Sequence, residues 1–367
     1  MSRRVWATVN LSALRDNART ARAAAPRSRI MAVVKSDAYG HGMVPAATAL
    51  APETDAFAVT CVEEAAVLRE AGFRQPIVLL EGPFAAEDLE SAAALGLEPV
   101  LHTEWQVEAL ARARLSAPVA PWIKVDTGMH RLGFPPEAVG EVWRRLHGAP
   151  SVQPQIGFMT HLACADDRAD TATQRQLAVF DEACAGLPGP RSAANSAGVL
   201  GWPGGHFDWI RPGIMLYGAS PFIDGRGGHQ PLAPVMTLEG RLIAVNHYRA
   251  GDALGYGATW RCPEPMPVGV ISVGYGDGYP RHAPSGTPVL VDGVRTALVG
   301  RVSMDMLCVD LRGHPGVAVG APATLWGDGL PAEEVAGAAG TISYELFCRT
   351  TPRARRRYVG AAQTEVT

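Results

Sequence analysis

Between residues 30 and 215, short apolar runs rich in β-branched residues recur, each followed by a longer stretch with helical spacing. Eight such runs stand near 30–35, 56–60, 76–81, 98–101, 121–125, 155–160, 191–195 and 209–213. The intervening stretches carry helix punctuation. Leu68 and Ala71 close a helical pattern that Gly72 would terminate. Thr103 with Gln106, and Thr173 with Gln176, have capping-box spacing. Leu177, Phe180 and Cys184 then fall on one helix face. Strand–helix alternation predicts a parallel sheet with crossover helices. Eight units in this length fit a (β/α)8 TIM-type barrel. A doubly wound open sheet is the alternative, because periodicity does not show closure.

After about residue 232 the pattern changes. Strand-like runs such as 267–273, 288–291, 297–302 and 306–311 are separated by Gly, Pro and Asp turns, and helical patterns are scarce. This predicts a mainly β domain. The expected division is an N-terminal strand in residues 1–8, a barrel over 9–232 and a β domain over 233–367. Arg4–Asn10 read as the opening strand, which precedes the first barrel helix and pairs with either the barrel or the β domain.

Composition narrows the function. The net charge of −3 gives no basic footprint for nucleic acid. No apolar run is long enough to span a membrane. The two arginines at the N-terminus have no apolar stretch behind them, so no signal peptide is expected. The six cysteines show no paired spacing and suit reduced thiols in a cytoplasmic protein. Of 33 basic residues only Lys35 and Lys124 are lysine. Arginine can replace lysine on a surface, but not where chemistry needs an amine that can lose its proton. The two lysines are therefore candidate functional groups. Lys35 ends the first strand, where barrel side chains point into an active site. A lysine under apolar neighbours there is placed to bind a carbonyl covalently; a salt-bridged lysine is the plainer alternative.

The stretch Val33–Gly42 resembles the pyridoxal-phosphate lysine motif of alanine racemases. Trp122–Phe134, Thr160–Asp166, Ala194–Gly198 and Ile210–Gly218 resemble further signatures of that family, as do Gly255–Trp260, Val273–Tyr279, Gly300–Met306 and Thr341–Glu345 in the second half. In order and spacing they cover nearly the whole chain. The resemblance implies a barrel that binds pyridoxal 5'-phosphate, followed by a β domain, in a homodimer that racemises alanine. It implies Lys35 and Tyr256 as the two bases, on opposite faces of the substrate, with Tyr256 from the partner subunit. Tyr39, Tyr344, Ser196, Gly213 and Ile214 are expected at the phosphate, with Asn195 in the same loop as Ser196. Small residues there would let backbone N–H groups approach an anion. Arg211 is expected at the pyridine nitrogen, which it would leave unprotonated because arginine does not yield its proton. His161 would lie along the ring, and together with arginines could favour the Tyr256 phenolate. Arg131 would bond the phenolic oxygen and lie near the substrate carboxylate. Lys124 would be carbamylated and orient Arg131, or remain unmodified and pair with Asp126. Met304 and Asp305 would come from the partner subunit, Met304 meeting the substrate carboxylate. Tyr275 and Tyr344 would narrow the entrance, favouring alanine.

Other readings of the same residues are a serine or broad-specificity racemase, a barrel-type amino-acid decarboxylase, a non-catalytic pyridoxal-phosphate carrier and a barrel without cofactor. The missing signal peptide and Tyr344 argue against the first. No glycine-rich phosphate segment or cysteine motif of the second is present. Tyr256 and the β domain argue against the third. The basic run Arg353–Arg357 reads as a solvated or interface charge cluster.

Overall fold

The structure is a computed structural model that describes residues 5–223 and 232–360. Arg4, at the start of the expected opening strand, lies outside the described residues, as do 224–231 and 361–367 within the expected barrel and β-domain spans.

The chain opens with β1 (Trp6–Asn10) and the helix Leu11–Ala24. The Asn10 side chain accepts from Ser12 N and Ala13 N, at 3.1 and 3.2 Å, and so starts the helix. Eight parallel strands follow: β2 (Arg29–Val33), β3 (Ala56–Val59), β4 (Ile77–Leu79), β5 (Leu97–Leu101), β6 (Trp122–Lys124), β7 (Gly157–Met159), β8 (Arg191–Ser192) and β9 (Trp209–Ile210). They close into a barrel, with Arg29 of β2 opposite Trp209 of β9 and Ile30 opposite Ile210. This settles the choice between barrel and open sheet.

Strand residues divide by period two. Met31, Val33, Ala58, Val78, Trp122 and Trp209 pack inside the barrel. Ala32, Phe57, Ile77, Leu79, Ile123 and Phe158 pack outward among the helices. The Trp122 and Trp209 rings meet edge-on with centroids 6.3 Å apart. They fill the barrel interior, so the only room for a ligand on this axis is at its ends.

The second half contains β10 (Met236–Tyr248), β11 (Ala253–Leu254), β12 (Trp260–Arg261), β13 (Met266–Ile271), β14 (Pro288–Val291), β15 (Val294–Val299), β16 (Leu307–Asp310), β17 (Pro322–Trp326) and β18 (Arg355–Val359). Two short helices, Ala332–Ala339 and Ser343–Cys348, interrupt it before the last strand. The large sheet runs β13-β16-β15-β14-β17-β10-β1-β18, with a further β13–β10 pairing. β1 thus sits between β10, antiparallel, and β18, parallel. Most of the basic run near the C-terminus lies on β18, is largely solvated and has specific partners: Arg353, just before the strand, faces Asp277 and Asp305, Arg356 faces Asp37, and Arg357 faces Glu239.

Neither expected capping box forms. Thr103 precedes the helix Glu104–Arg112, but its hydroxyl makes no cap bond, and Gln106 accepts instead from His102 N at 2.8 Å. Thr173 lies inside the helix Ala172–Ala183, because Asp170 already binds Ala172 N at 2.7 Å and starts the helix earlier. Gln176 is turned inward to Ala163 N and the His161 carbonyl, at 2.8 and 3.0 Å.

Candidate active site

A cavity of about 560 Å3 opens at the carboxyl ends of the barrel strands. It brings together Lys35, Tyr39, Lys124, Arg131, His161, Asn195, Ser196, Arg211, Gly213, Ile214 and Tyr344. Ten of these sit at or just beyond strand ends. Tyr344 comes from the helix Ser343–Cys348, so the second half of the chain covers its own barrel.

Lys35 leads into an unusual turn. Ser36, Asp37, Ala38 and Tyr39 all adopt φ between 52° and 54°, a left-handed helical turn without glycine. Such a conformation costs on the order of 1–2 kcal/mol per residue and must be held by its surroundings. Glu64 accepts from Ser36 N at 2.7 Å, and Asp37 accepts from Met43 N at 2.7 Å. The buried His41 ring lies against Tyr217, with centroids 4.6 Å apart, and its Nδ1 is 3.0 and 2.9 Å from the carbonyls of Ala38 and Tyr39. Carbonyls only accept, so Nδ1 carries the proton and donates to them. Burial pulls His41 down to about 4, so it remains neutral at ordinary pH. Lys35 itself is not surrounded by the apolar wall expected from the strand pattern. Its Nζ lies 3.6 Å from Glu81 and its side chain is 32% exposed, because the strand ends at Val33 and the lysine already belongs to the turn.

The turn delivers Tyr39 into a fixed position. Its ring packs on Tyr217 and Tyr344, with centroids 4.7 and 5.9 Å away. Burial raises the Tyr39 phenol well above its usual range, with the neighbouring Tyr344 and Cys348 adding to the effect, so it is a hydrogen-bond donor here and not an anion. Ser196 Oγ accepts from Gly213 N and Met215 N at 2.9 and 3.3 Å. The Gly213 N–H is therefore directed at Ser196 instead of at the cavity. With both bonds accepted, the Ser196 hydroxyl proton is left to point elsewhere. Asn195 is the N-cap of the helix Ser196–Gly201, accepting from Gly198 N at 3.0 Å. It builds the loop that the sequence showed only as a turn.

The floor of the cavity is cationic. Arg211 is 4% exposed and donates to Ser192 Oγ at 2.5 Å, to the Thr160 carbonyl at 2.6 Å and to the Ala193 carbonyl at 3.2 Å. All three acceptors are neutral. Burial lowers its guanidinium to about 10, which leaves it charged at neutral pH. Lys124 is brought down to about 7, first by loss of water and then by Arg211, Arg131 and Lys35; Asp126 opposes this only weakly. Asp126 is occupied with its own loop, accepting from Gly128 N and His130 N at 3.1 and 2.9 Å. The same environment, burial first and then the four cations, holds His161 well below its ordinary value. His161 is therefore neutral and cannot be the cation expected to favour a nearby phenolate.

Tyr256, Tyr275, Met304 and Asp305 do not line this cavity. They form an exposed group on the β domain. Tyr256 is 67% exposed and Met304 51%, high values for large apolar-bodied side chains. The Tyr275 and Met304–Asp305 loops are tied together: Tyr275 N donates to the Ser303 carbonyl and Gly276 N to the Met304 carbonyl, at 3.0 and 2.9 Å. Arg353 holds Asp305 and lies 3.6 Å from Asp277.

Sequence reasoning missed Glu81, Met129 and Cys348 in the cavity wall, and Tyr217 and His41 behind it. His41 stood inside the lysine motif, two residues beyond Tyr39, and was readable as part of it.

A filled (β/α)8 barrel with a lysine- and arginine-rich cup at the strand ends, joined to a β domain, defines a two-domain barrel enzyme. Residues 9–221 match the alanine racemase N-terminal domain and residues 235–358 the alanine racemase C-terminal domain. The chain belongs to the alanine racemase family, and it is an isomerase of amino acids. It is 68% identical to the alanine racemase of Halorhodospira halophila, over 98% of this chain and 99% of that one. It is 55% identical to that of Thioalkalivibrio sulfidiphilus, over 98% and 100%. Among solved structures, the biosynthetic alanine racemase of Pseudomonas aeruginosa superposes with a TM-score of 0.95 at 47% identity, covering 98% of this chain and all of that one. The alanine racemase of the D-cycloserine producer Streptomyces lavendulae gives 0.90 at 34%, covering 99% and 98%.

Proposed function

We propose that this protein interconverts L-alanine and D-alanine with pyridoxal 5'-phosphate, using Lys35 on one face of the substrate and the partner subunit's Tyr256 on the other. The observation that carries the reading is the cavity that gathers Lys35, Lys124, Arg131 and Arg211 around a Ser196–Gly213–Tyr39 cradle.

The residues fit the cofactor. The Lys35, Arg131 and Arg211 cations suit a phosphate dianion and a phenolate oxygen. The Ser196 hydroxyl and the Tyr39 and Tyr344 phenols suit phosphate oxygens. A Cβ at Gly213 would stand 2.6 Å from the Tyr39 hydroxyl, so glycine keeps the cradle open. When bound, the cofactor supplies an aldehyde for the Lys35 amine and a conjugated ring that acidifies the substrate Cα–H. Arg211, charged and held by neutral partners, would hold the ring nitrogen of the cofactor unprotonated. Asn195 shapes the phosphate loop, and Ile214 packs beside Gly213. Arg131 orients the substrate carboxylate. Lys124, with a neutral amine available near pH 7, takes up CO2 and releases one proton, giving a carbamate that orients Arg131.

Racemisation removes a proton from one face of Cα and delivers one to the other. Lys35 serves one face. Tyr256, exposed on its own chain, serves the opposite face of a partner's cavity, with Met304, Asp305 and Tyr275 beside it. Exposure of this group is what a composite homodimeric site requires. Tyr275 and Tyr344 keep the entrance narrow and favour alanine. D-alanine supply for the cell wall and alanine catabolism are both roles this reaction can serve. All six cysteines are free thiols, which suits the cytoplasm. No helix among the described residues is long and apolar enough to cross a membrane.

The test is incubation of purified protein with L-alanine or L-serine in D2O, following Cα deuteration by NMR and loss of circular dichroism together. Deuteration with loss of signal for alanine, and a lag for serine, supports the proposal. Comparable rates indicate a broad-specificity racemase. Deuteration with retained handedness removes Tyr256 from its role. No exchange in protein carrying bound cofactor indicates a carrier.

A further inference from the structure

The left-handed turn after Lys35 is held from two sides, and one of them belongs to the other domain. The barrel side consists of Glu64 on Ser36 N and His41 under the Ala38 and Tyr39 carbonyls. The other side is Arg356 in β18. Its guanidinium lies 2.8 Å from Asp37 Oδ2, and its Nε donates to the Gly40 carbonyl at 2.8 Å. One planar fork thus joins the middle of the turn to its end, a geometry that a lysine could not reproduce. Neighbouring contacts seat the same segment. A Cβ at Gly40 would collide with the Phe347 carbonyl, and one at Gly42 with the Tyr358 hydroxyl. Phe347 and Tyr358 belong, like Arg356, to the second half of the chain.

Arg356 does not line the cavity. Its strand is registered by β1, with Ala7 opposite Arg356, and β1 runs directly into the first barrel helix. The clamp is therefore fixed relative to the barrel at both of its ends. Non-glycine residues persist in left-handed conformations only where the surroundings over-determine them.

We propose that Arg356 is a positioning residue for catalysis: from the β domain it locks the Ser36–Tyr39 turn, so that Lys35 and Tyr39 meet the cofactor in one orientation. This rests on the reading that Lys35 holds pyridoxal 5'-phosphate.

The test uses the holoenzyme and three variants, Arg356→Ala, Arg356→Lys and Asp37→Asn. Borohydride reduction followed by peptide mass analysis first asks where the cofactor is attached in the wild type. Rates of cofactor release, kcat, KM and Tm are then compared. Arg356→Ala is expected to lower kcat about tenfold or more, and to speed cofactor release by a similar factor, with KM moving less than about threefold, since misplacement of a reacting group acts on the transition state. Arg356→Lys keeps a charge for Asp37 and loses the second donor, so it falls between wild type and Arg356→Ala. Asp37→Asn reproduces the loss without touching the arginine. Millimolar guanidinium restores part of kcat to Arg356→Ala. If Arg356→Ala does not fold, the lysine and asparagine variants carry the same comparison. Wild-type kcat and release rates in the variants, or a lowered Tm as the sole change, would overturn the proposal. With the label on Lys35 and unchanged variants, the clamp alone fails. A label on another residue overturns the Lys35 reading and the clamp with it.

Discussion

Glu81 and Lys35 stand 3.6 Å apart at the mouth of the barrel, on turns that follow β4 and β2, strands with β3 between them. The pair is part-exposed on both sides, 32% and 40%. Pairs of that kind contribute roughly 0–1 kcal/mol. Glu81→Gln is therefore expected to change the unfolding free energy by less than about 1 kcal/mol in urea titration. Lys35 in that variant should still be trapped by borohydride at wild-type yield. A larger loss of stability would show that the pair is better shielded than its exposure indicates.

Lys124 makes stability depend on pH in a definite direction. Its folded value, about 7, lies below its ordinary 10.5. Between those values the unfolded chain binds more protons, so stability rises with pH across that window. The stabilising contribution is complete above 10.5 and is lost as pH falls through about 7. Lys124→Met removes this slope, which urea midpoints measured on cofactor-free protein would show. If the amine reacts with CO2, 13C-bicarbonate gives a carbamate resonance in wild type that the variant lacks.

His41 titrates with the same sign at lower pH. Its folded value of about 4 lies below its ordinary 6.5, so the contribution is complete above 6.5 and lost as pH falls through about 4. His41→Ala should flatten that acid limb. It should also cost about 1–3 kcal/mol at pH 7, because buried carbonyls of the turn lose their donor. Acid and neutral denaturation curves of the two proteins settle both points.

Gly213→Ala forces a methyl group to within 2.6 Å of the Tyr39 hydroxyl. Tyr39 packs at a tilt against Tyr217 and Tyr344, which limits its room to retreat. The substitution should destabilise the fold by about 1–3 kcal/mol through overpacking. Titration of the variant with pyridoxal phosphate should show weaker binding. Wild-type affinity would mean that the cradle lies elsewhere.

A composite site has an arithmetic signature. Lys35→Ala and Tyr256→Phe should each be inactive as homodimers. If subunits exchange freely, about half of the mixed dimers are hybrids, each with one intact site, and about a quarter of wild-type activity returns. Absence of recovery, with hybrids demonstrated by native mass spectrometry, would place both bases in one chain.

Most of the barrel strands were legible because they are short runs of buried apolar residues, such as Ala56–Val59 and Ile77–Leu79. The expected run at 56–60 became Ala56–Val59, and that at 121–125 became Trp122–Lys124. Closure was not legible, since it rests on Arg29 meeting Trp209, a pairing between distant segments. The left-handed turn was equally hidden. Only Asp37 among Ser36, Asp37 and Ala38 has any tendency to positive φ, so the conformation is imposed chiefly by Glu64, His41 and Arg356 from elsewhere in the chain. Both capping boxes failed for a related reason: Gln106 and Gln176 had tertiary partners to satisfy. The cationic cup was readable from the rarity of lysine, whereas the neutral state of His161 follows first from its burial and then from the cations packed around it.

Both lysines of this chain reach into one cavity, and every other basic side chain is arginine. Amine-directed reagents, which on most proteins scatter over dozens of surface lysines, would here have two side-chain targets and the chain's α-amino group. An ordinary acylating probe thereby becomes a reporter of the catalytic centre. Cofactor or a bound inhibitor could be followed simply by which of two peptides escapes labelling.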